Sequence, residues 1–295
     1  MPSLARYAWF VLIFNVVVIL LGGLVRATGS GAGCGPSWPA CQGELTPELV
    51  GPTAIEFTHR AFSGAALILV VVLAVLVWRD RNKGHPARLG AGLSVVAIVI
   101  EALIGALIVV AEWVASDTSV ARVVSVPLHL VNTLFLLAAL TLTAFWLSGG
   151  RPFVREVEPR VKAAVIAGGL ALVVVTASGA VTALADTLFP KDPFSFDYTA
   201  ASHFLTRLRI AHPILAVLAA ASGWWLSIRW GQRRSSVGRS LVALVAVLLV
   251  TGALNVFLGT PLWLQLTHLA LADALWVTYV LASAGALQER VSAPV

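Results

Sequence analysis

The chain has 295 residues, 59% of them hydrophobic and 12% charged, with a mean hydropathy of +0.91. A soluble domain of this size needs more polar surface, and long apolar runs recur along the whole chain, so its solvent is a lipid bilayer. The net charge of +6 does not mark a nucleic-acid binder, because most Lys and Arg fall in short loops between apolar runs.

A helical span needs roughly 20 apolar residues. Eight candidates follow in chain order: 7–25, 52–78, 89–110, 123–147, 161–186, 204–230, 241–259 and 262–287. The first run lacks a small-residue cleavage site, which predicts a retained helix rather than a signal peptide. Loop two carries Arg79, Arg81, Lys83 and Arg88, loop four Arg151, Arg155, Arg160 and Lys162, and loop six Arg229, Arg233, Arg234 and Arg239. The odd loops are poorer in basic residues and hold Glu44, Glu48, Glu112, Asp117, Asp186, Asp192 and Asp197. This asymmetry predicts a multi-pass protein of the cell membrane with both termini in the cytoplasm.

Loop one then faces outward and holds Cys34 and Cys41, the two cysteines of the chain. Outside the cytoplasm a close pair is expected to be oxidised. The alternatives are two free thiols or a metal pair, the latter disfavoured by the lack of a histidine or a third cysteine in that loop.

The chain reads twice. Gly23-Leu24-Val25 in span one matches Gly179-Ala180-Val181 in span five, and Gly105-Ala106-Leu107 in span three matches Gly252-Ala253-Leu254 in span seven. Spans two and six carry His59 and His212, and spans four and eight carry His129-Leu130 and His268-Leu269. Four spans per half give both halves one membrane orientation, so the repeat is parallel. The expected fold is all-α integral membrane, with eight transmembrane helices as two parallel-repeat four-helix bundles, residues 1–150 and 151–295.

Of the six histidines, His85 reads as a solvated loop residue and His203 as an interfacial one. His59, His129, His212 and His268 each lie roughly two turns, on the order of 10 Å, in from the outer end of an even span. A lone histidine in a span is ordinarily a packing hydrogen-bonder, but ionisable residues in membranes are costly and mark function. Two symmetric pairs suit axial ligation of haem, one imidazole from each of two facing helices. A zinc site would want more ligands. The pairs are His59 with His129 and His212 with His268.

The halves differ. Glu56 stands three residues before His59, on the same helix face, whereas the matching residue before His212 is Arg209. Glu56 is either a salt-bridge partner of Arg60 or Arg26, or a general base or charge stabiliser beside a haem. Arg26, Arg60, Arg207 and Arg209 are candidate contacts for haem propionates. Asn15, Glu101, Asn132, Asn255 and Asp273 read as packing or network residues, Glu101 being the least comfortable because it is deep in span three.

Glu56-Phe57-Thr58-His59-Arg60 resembles the E-x-x-H-R signature of haem A synthases. So do the loop from Gly33-Cys34-Gly35 to Trp38-Pro39-Ala40-Cys41, Leu128-His129-Leu130, and Thr267-His268. The resemblance covers nearly the whole chain and is to bacterial members with a two-cysteine outer loop. It implies oxidation of a ring methyl of haem O to a formyl group, through a hydroxymethyl, giving haem A for terminal oxidases. It further implies a haem B cofactor on His212 and His268 and a substrate site bordered by His59 and His129. Glu56 would be the catalytic carboxylate, and Cys34 and Cys41 a disulfide. The implied partners are haem O, the bilayer, an unnamed electron acceptor and, as a candidate, haem O synthase. The competing readings are a b-type cytochrome, quinol-linked, that transfers electrons without modifying haem, and, more weakly, a transporter.

Overall fold

The computed structural model describes residues 2–154, 156–190, 203–229 and 236–288. Arg155, Asp192, Asp197, Arg233 and Arg234, used above for orientation, lie outside the described residues. The helices are α1 (Pro2–Ala27), α2 (Gly51–Asp80), α3 (Pro86–Val110), α4 (Val120–Leu147), α5 (Pro159–Leu188), α6 (Phe204–Leu208), α7 (Ala211–Arg229), α8 (Ser236–Phe257) and α9 (Leu262–Ala286). Among the described residues, eight segments are long and apolar enough to cross a membrane, α6 and the start of α7 together making the sixth. The chain is therefore an all-helical, multi-pass membrane protein.

The sixth span departs from expectation. It is not one helix but breaks at Arg209 and Ile210. Pro213 has no N–H, and its ring opposes the carbonyl four residues back, which is that of Arg209. The other helices start where local chemistry permits. Proline occupies the first turn of α2, α3 and α5, where its missing donor costs nothing. His85 caps α3 by accepting the Ala87 amide at 3.2 Å, and Ser119 caps α4 by accepting the Arg122 amide at 3.3 Å. His203 caps α6 in the same way through Leu205.

The polarity pattern is that of a protein in lipid. Ile13, Ile68, Leu103 and Ile166 are exposed, while Asn15, Thr141, Thr143 and Asp273 are buried. Helices α1 to α4 pack in a closed ring, and α5, α7, α8 and α9 form a second ring. The two meet where α1 and α4 lie against α5 and α9. Trp276 of α9 donates to the Leu134 carbonyl of α4 across that seam at 2.7 Å. The tightest apolar core, with Val11, Leu73, Val77, Leu137 and Leu140, fills the first ring at the end away from loop 28–50. The other end is therefore open for a site.

Candidate functional site

A cavity of about 1650 Å3 runs between the two rings and is lined by His59, His129, His212 and His268 together. A single small-molecule pocket usually measures roughly 300–1,000 Å3, so this one has room for more than one large flat ligand. Each histidine projects from one span over a glycine of the span before it. A methyl group built on Gly22 would stand 3.1 Å from Cε1 of His59, and one on Gly179 would stand 3.0 Å from Cε1 of His212. The corresponding distances are 3.7 Å from Gly105 to His129 and 3.4 Å from Gly252 to His268. Both halves thus repeat one device, in which a missing side chain lets an imidazole lie against a neighbouring backbone. The register differs by one residue from that read in the sequence. Gly22, not Gly23, is the counterpart of Gly179, whereas Gly23 faces Leu269 of α9.

In the second ring the His212 and His268 rings are 6.4 Å apart between centroids and nearly perpendicular, at 86°. Nδ1 of His212 lies 3.1 Å from the Val175 carbonyl and 3.2 Å from the Ser178 hydroxyl. Nδ1 of His268 lies 2.9 Å from the Thr251 hydroxyl. Partners at Nδ1 leave Nε2 as the metal-binding nitrogen. Two metal–imidazole bonds of about 2 Å each bring ring centroids to about the separation seen. The donor set and spacing therefore fit one iron held between two imidazoles. Among the described residues no group of three or more His, Cys, Asp or Glu is arranged to hold a bare metal ion.

In the first ring the surroundings are charged. Glu56 is buried, and both of its oxygens are engaged. Oε2 accepts the Cys34 amide at 2.8 Å, and Oε1 accepts Nε and Nη2 of Arg60 at 3.1 and 2.5 Å. Arg60 also donates to the carbonyls of Ser37 and Ala40, at 2.5 and 2.7 Å. Those carbonyls lie inside the loop closed by the Cys34–Cys41 disulfide. The carboxylate, the arginine and the loop are one unit, and of the two salt-bridge partners considered for Glu56 the structure selects Arg60.

The other arginines are also tied to the protein. Arg26 reaches across the seam to the Ala183 carbonyl at 2.6 Å, the Thr187 hydroxyl at 2.7 Å and Gln265 at 2.8 Å. Arg209 pairs with Asp186 at 2.8 Å and donates to the carbonyls of Ala185 and Phe189. Arg26, Arg60 and Arg209 line the cavity, whereas Arg207 is exposed on the short helix α6.

Of the cavity-lining residues, Arg122 carried no expectation from the sequence, and Glu101, read there as a packing or network residue, stands against a candidate ligand. Arg122 is buried in the first turn of α4 and donates to the carbonyls of Ala115 and Asp117, at 2.6 and 2.8 Å. Its signal was its position, two helical turns before His129 and so on the same face. Glu101 of α3 stands 3.1 Å from Nδ1 of His129. Its depth in a span already demanded a partner, but no spacing rule links it to a histidine on the next helix.

Comparison with known proteins gives the family. The family model for cytochrome oxidase assembly proteins, COX15-CtaA, matches residues 5–50 and 48–280. A protoheme IX farnesyltransferase of Thermus thermophilus is 44% identical over 295 residues, covering 97% of this chain and 48% of that protein. Heme A synthases of Bacillus mycoides and Bacillus cereus are 48% and 47% identical over 98 residues, 32% of this chain and 32% of each of theirs. The chain spans about half the length of the Thermus relative and matches about a third of the Bacillus ones. The resemblance to haem A synthases read from the motifs is borne out, and the chain belongs to the COX15-CtaA family of cytochrome oxidase assembly proteins.

Proposed function

We propose that this protein is a haem A synthase, an oxidoreductase that converts a ring methyl of haem O to the formyl group of haem A. One observation carries the reading. Two histidine pairs share a cavity; in the first ring the carboxylate of Glu101 stands 3.1 Å from Nδ1 of His129 and Glu56 lies one helical turn before His59, whereas the carboxylate that lines the second ring, Asp186, is paired with Arg209. In this reading His59 and His129 flank the substrate haem O, and His212 and His268 hold haem B. Haem B, when bound, would supply a one-electron carrier between the substrate and the electron acceptor that the oxidation requires. Glu56, fixed by Arg60 and the Cys34 amide, presents a buried negative charge beside the reacting face and stabilises positive charge that develops there. The arginines at this end, Arg26, Arg60, Arg122 and Arg209, set a positive field suited to haem propionates.

The protein lies in the cell membrane with both termini cytoplasmic, a placement supported by the basic residues of the loops around 79–88 and 151–162. The farnesyltransferase name of the Thermus relative belongs, in this reading, to the half of that protein which this chain does not match. One polypeptide would then carry the enzyme that makes haem O and the one that consumes it, which makes haem O synthase the partner of this chain.

The occupied oxygens of Glu56 favour one rival, a b-type cytochrome in which that residue is structural and both haems stay bound. Glu56→Gln separates the two, because the amide keeps the size of the side chain while removing its charge and one of its two acceptors. The expected outcome is a retained haem B spectrum, loss of haem A in extracted pigments and accumulation of haem O. Normal haem A output from that variant would sink the synthase role for Glu56. In the second ring, His212→Ala is expected to abolish the haem B spectrum of the purified protein, and an unchanged spectrum would remove His212 as a ligand.

A further inference from the structure

Glu101 is a partly buried carboxylate in the middle of α3, and it is held in place as well as paired. Its Oε1 accepts the Thr133 hydroxyl at 2.5 Å, and its Oε2 accepts the side-chain amide of Asn132 at 2.5 Å. Asn132 is itself anchored to the Ala97 carbonyl of α3 at 2.9 Å. Asn132 and Thr133 stand three and four residues after His129, so one face of α4 carries the imidazole and both clamps for its carboxylate. The ring faces the carboxylate through Nδ1, at 3.1 Å from Oε1, a hydrogen-bonding separation although the N–H is not in line with the oxygen. Its Cε1–Nε2 edge passes over Gly105, which also lines the cavity.

The contrast with the second ring gives this arrangement its meaning. There the Nδ1 partners are neutral, a carbonyl and a hydroxyl for His212 and a hydroxyl for His268. An anionic partner at Nδ1 fixes the proton on that nitrogen, orients the ring and makes Nε2 a stronger donor to iron. A stronger donor favours the ferric state. A residue that only filled space would not need three polar partners at this depth, where each unmatched one is costly.

We infer that Glu101 is a positioning residue, which holds the His129 imidazole with Nε2 toward the cavity and makes it a stronger iron ligand than either histidine of the second ring. The inference rests on the haem-site reading above and assigns Glu101 no contact with the substrate's reacting carbon.

The test uses the purified full-length protein, titrated with ferric haem B, in the parent and in Glu101→Gln, Glu101→Asp, Thr133→Val and His129→Ala. The haem signal of the second ring serves as the control for folding. Glu101→Gln is expected to weaken haem binding to the first ring about ten- to hundred-fold. It is also expected to raise the midpoint potential of that haem and shift its electron paramagnetic resonance signature. Glu101→Asp should restore part of each effect, and Thr133→Val should give a smaller change in the same direction. Unchanged affinity, potential and resonance in Glu101→Gln would overturn the inference. If that variant fails to fold, an unaltered first-ring haem in Thr133→Val and Glu101→Asp would overturn it equally. His129→Ala separates the two layers. If it leaves the first-ring haem unaffected, the site reading itself fails. If it removes that haem while Glu101→Gln is silent, only the role of Glu101 fails.

Discussion

Glu56 and Arg60 illustrate how a charge survives within a membrane span. Burying an ion is costly, and removing one partner of a buried pair costs about 3–5 kcal/mol because the other is left uncompensated. Here the arginine is also bound to two loop carbonyls and the carboxylate to a loop amide, so Glu56→Ala would disturb the loop as well as the charge. His85 is a simpler residue-scale case, outside the spans. Burial first, and Arg81 second, hold its imidazole below the ordinary value, against an opposing pull from Asp80. The neutral ring accepts the Ala87 amide at the start of α3. An unfolded chain therefore binds a proton here more readily than the folded one. The stabilisation is fully present above about pH 6.5 and is lost as the pH falls toward the lowered folded value. Thermal unfolding in detergent should show part of the stability lost as the pH falls below about 6.5. His85→Asn, which retains a capping oxygen, should flatten that part of the profile. An unaltered profile in the variant would place the pH dependence elsewhere.

At the scale of elements, the glycine opposite each histidine is the device that sets its position. Gly179→Val would drive a branched side chain into His212, and the expected result is a weakened or lost haem B spectrum. Gly22→Val should leave that spectrum intact but lower haem A output, because it presses on His59. Gly23→Val is the control one residue away. Its Cβ would stand 2.8 Å from a methyl of Leu269 and meet neither His59 nor His212, so it should lower stability through the α1–α9 contact by about 1–3 kcal/mol. Pigment content and unfolding midpoints of the three variants distinguish these outcomes. The rotation of α1 explains the difference, since one residue turns a helix by about 100° and moves a glycine from against His59 to against Leu269 of α9.

At the scale of the molecule, the two rings are joined by a few directed bonds. Trp276 donates across the seam to Leu134, and Arg26 reaches the Ala183 carbonyl, Thr187 and Gln265. Trp276→Phe keeps most of the ring volume and removes the donor. Its expected cost is about 1 kcal/mol, read as a lower unfolding midpoint in detergent, and an unchanged midpoint would mean that the seam does not rely on that bond. Arg26 ties the end of α1 near the candidate substrate site to α5 and α9, so the two candidate haem sites share one framework and not merely one cavity.

The sequence by itself determined the spans, because a bilayer selects on the length and polarity of a segment, which are properties of the chain in one dimension. It also carried the four histidines and the Glu56–Arg60 pair, since a spacing of four residues on a helix is local geometry. Only the tertiary structure decided that Glu101 stands against His129, that Arg26 bonds to the opposite ring, that Gly22 rather than Gly23 opposes His59, and that span six breaks before Pro213. Three of these depend on how a helix is rotated and which helix stands beside it, and that choice is made by packing between segments far apart in the chain. The fourth was signalled by the proline itself, but whether a proline breaks a helix depends on its surroundings. Pro127 in α4, two residues before the candidate ligand His129, leaves its helix continuous.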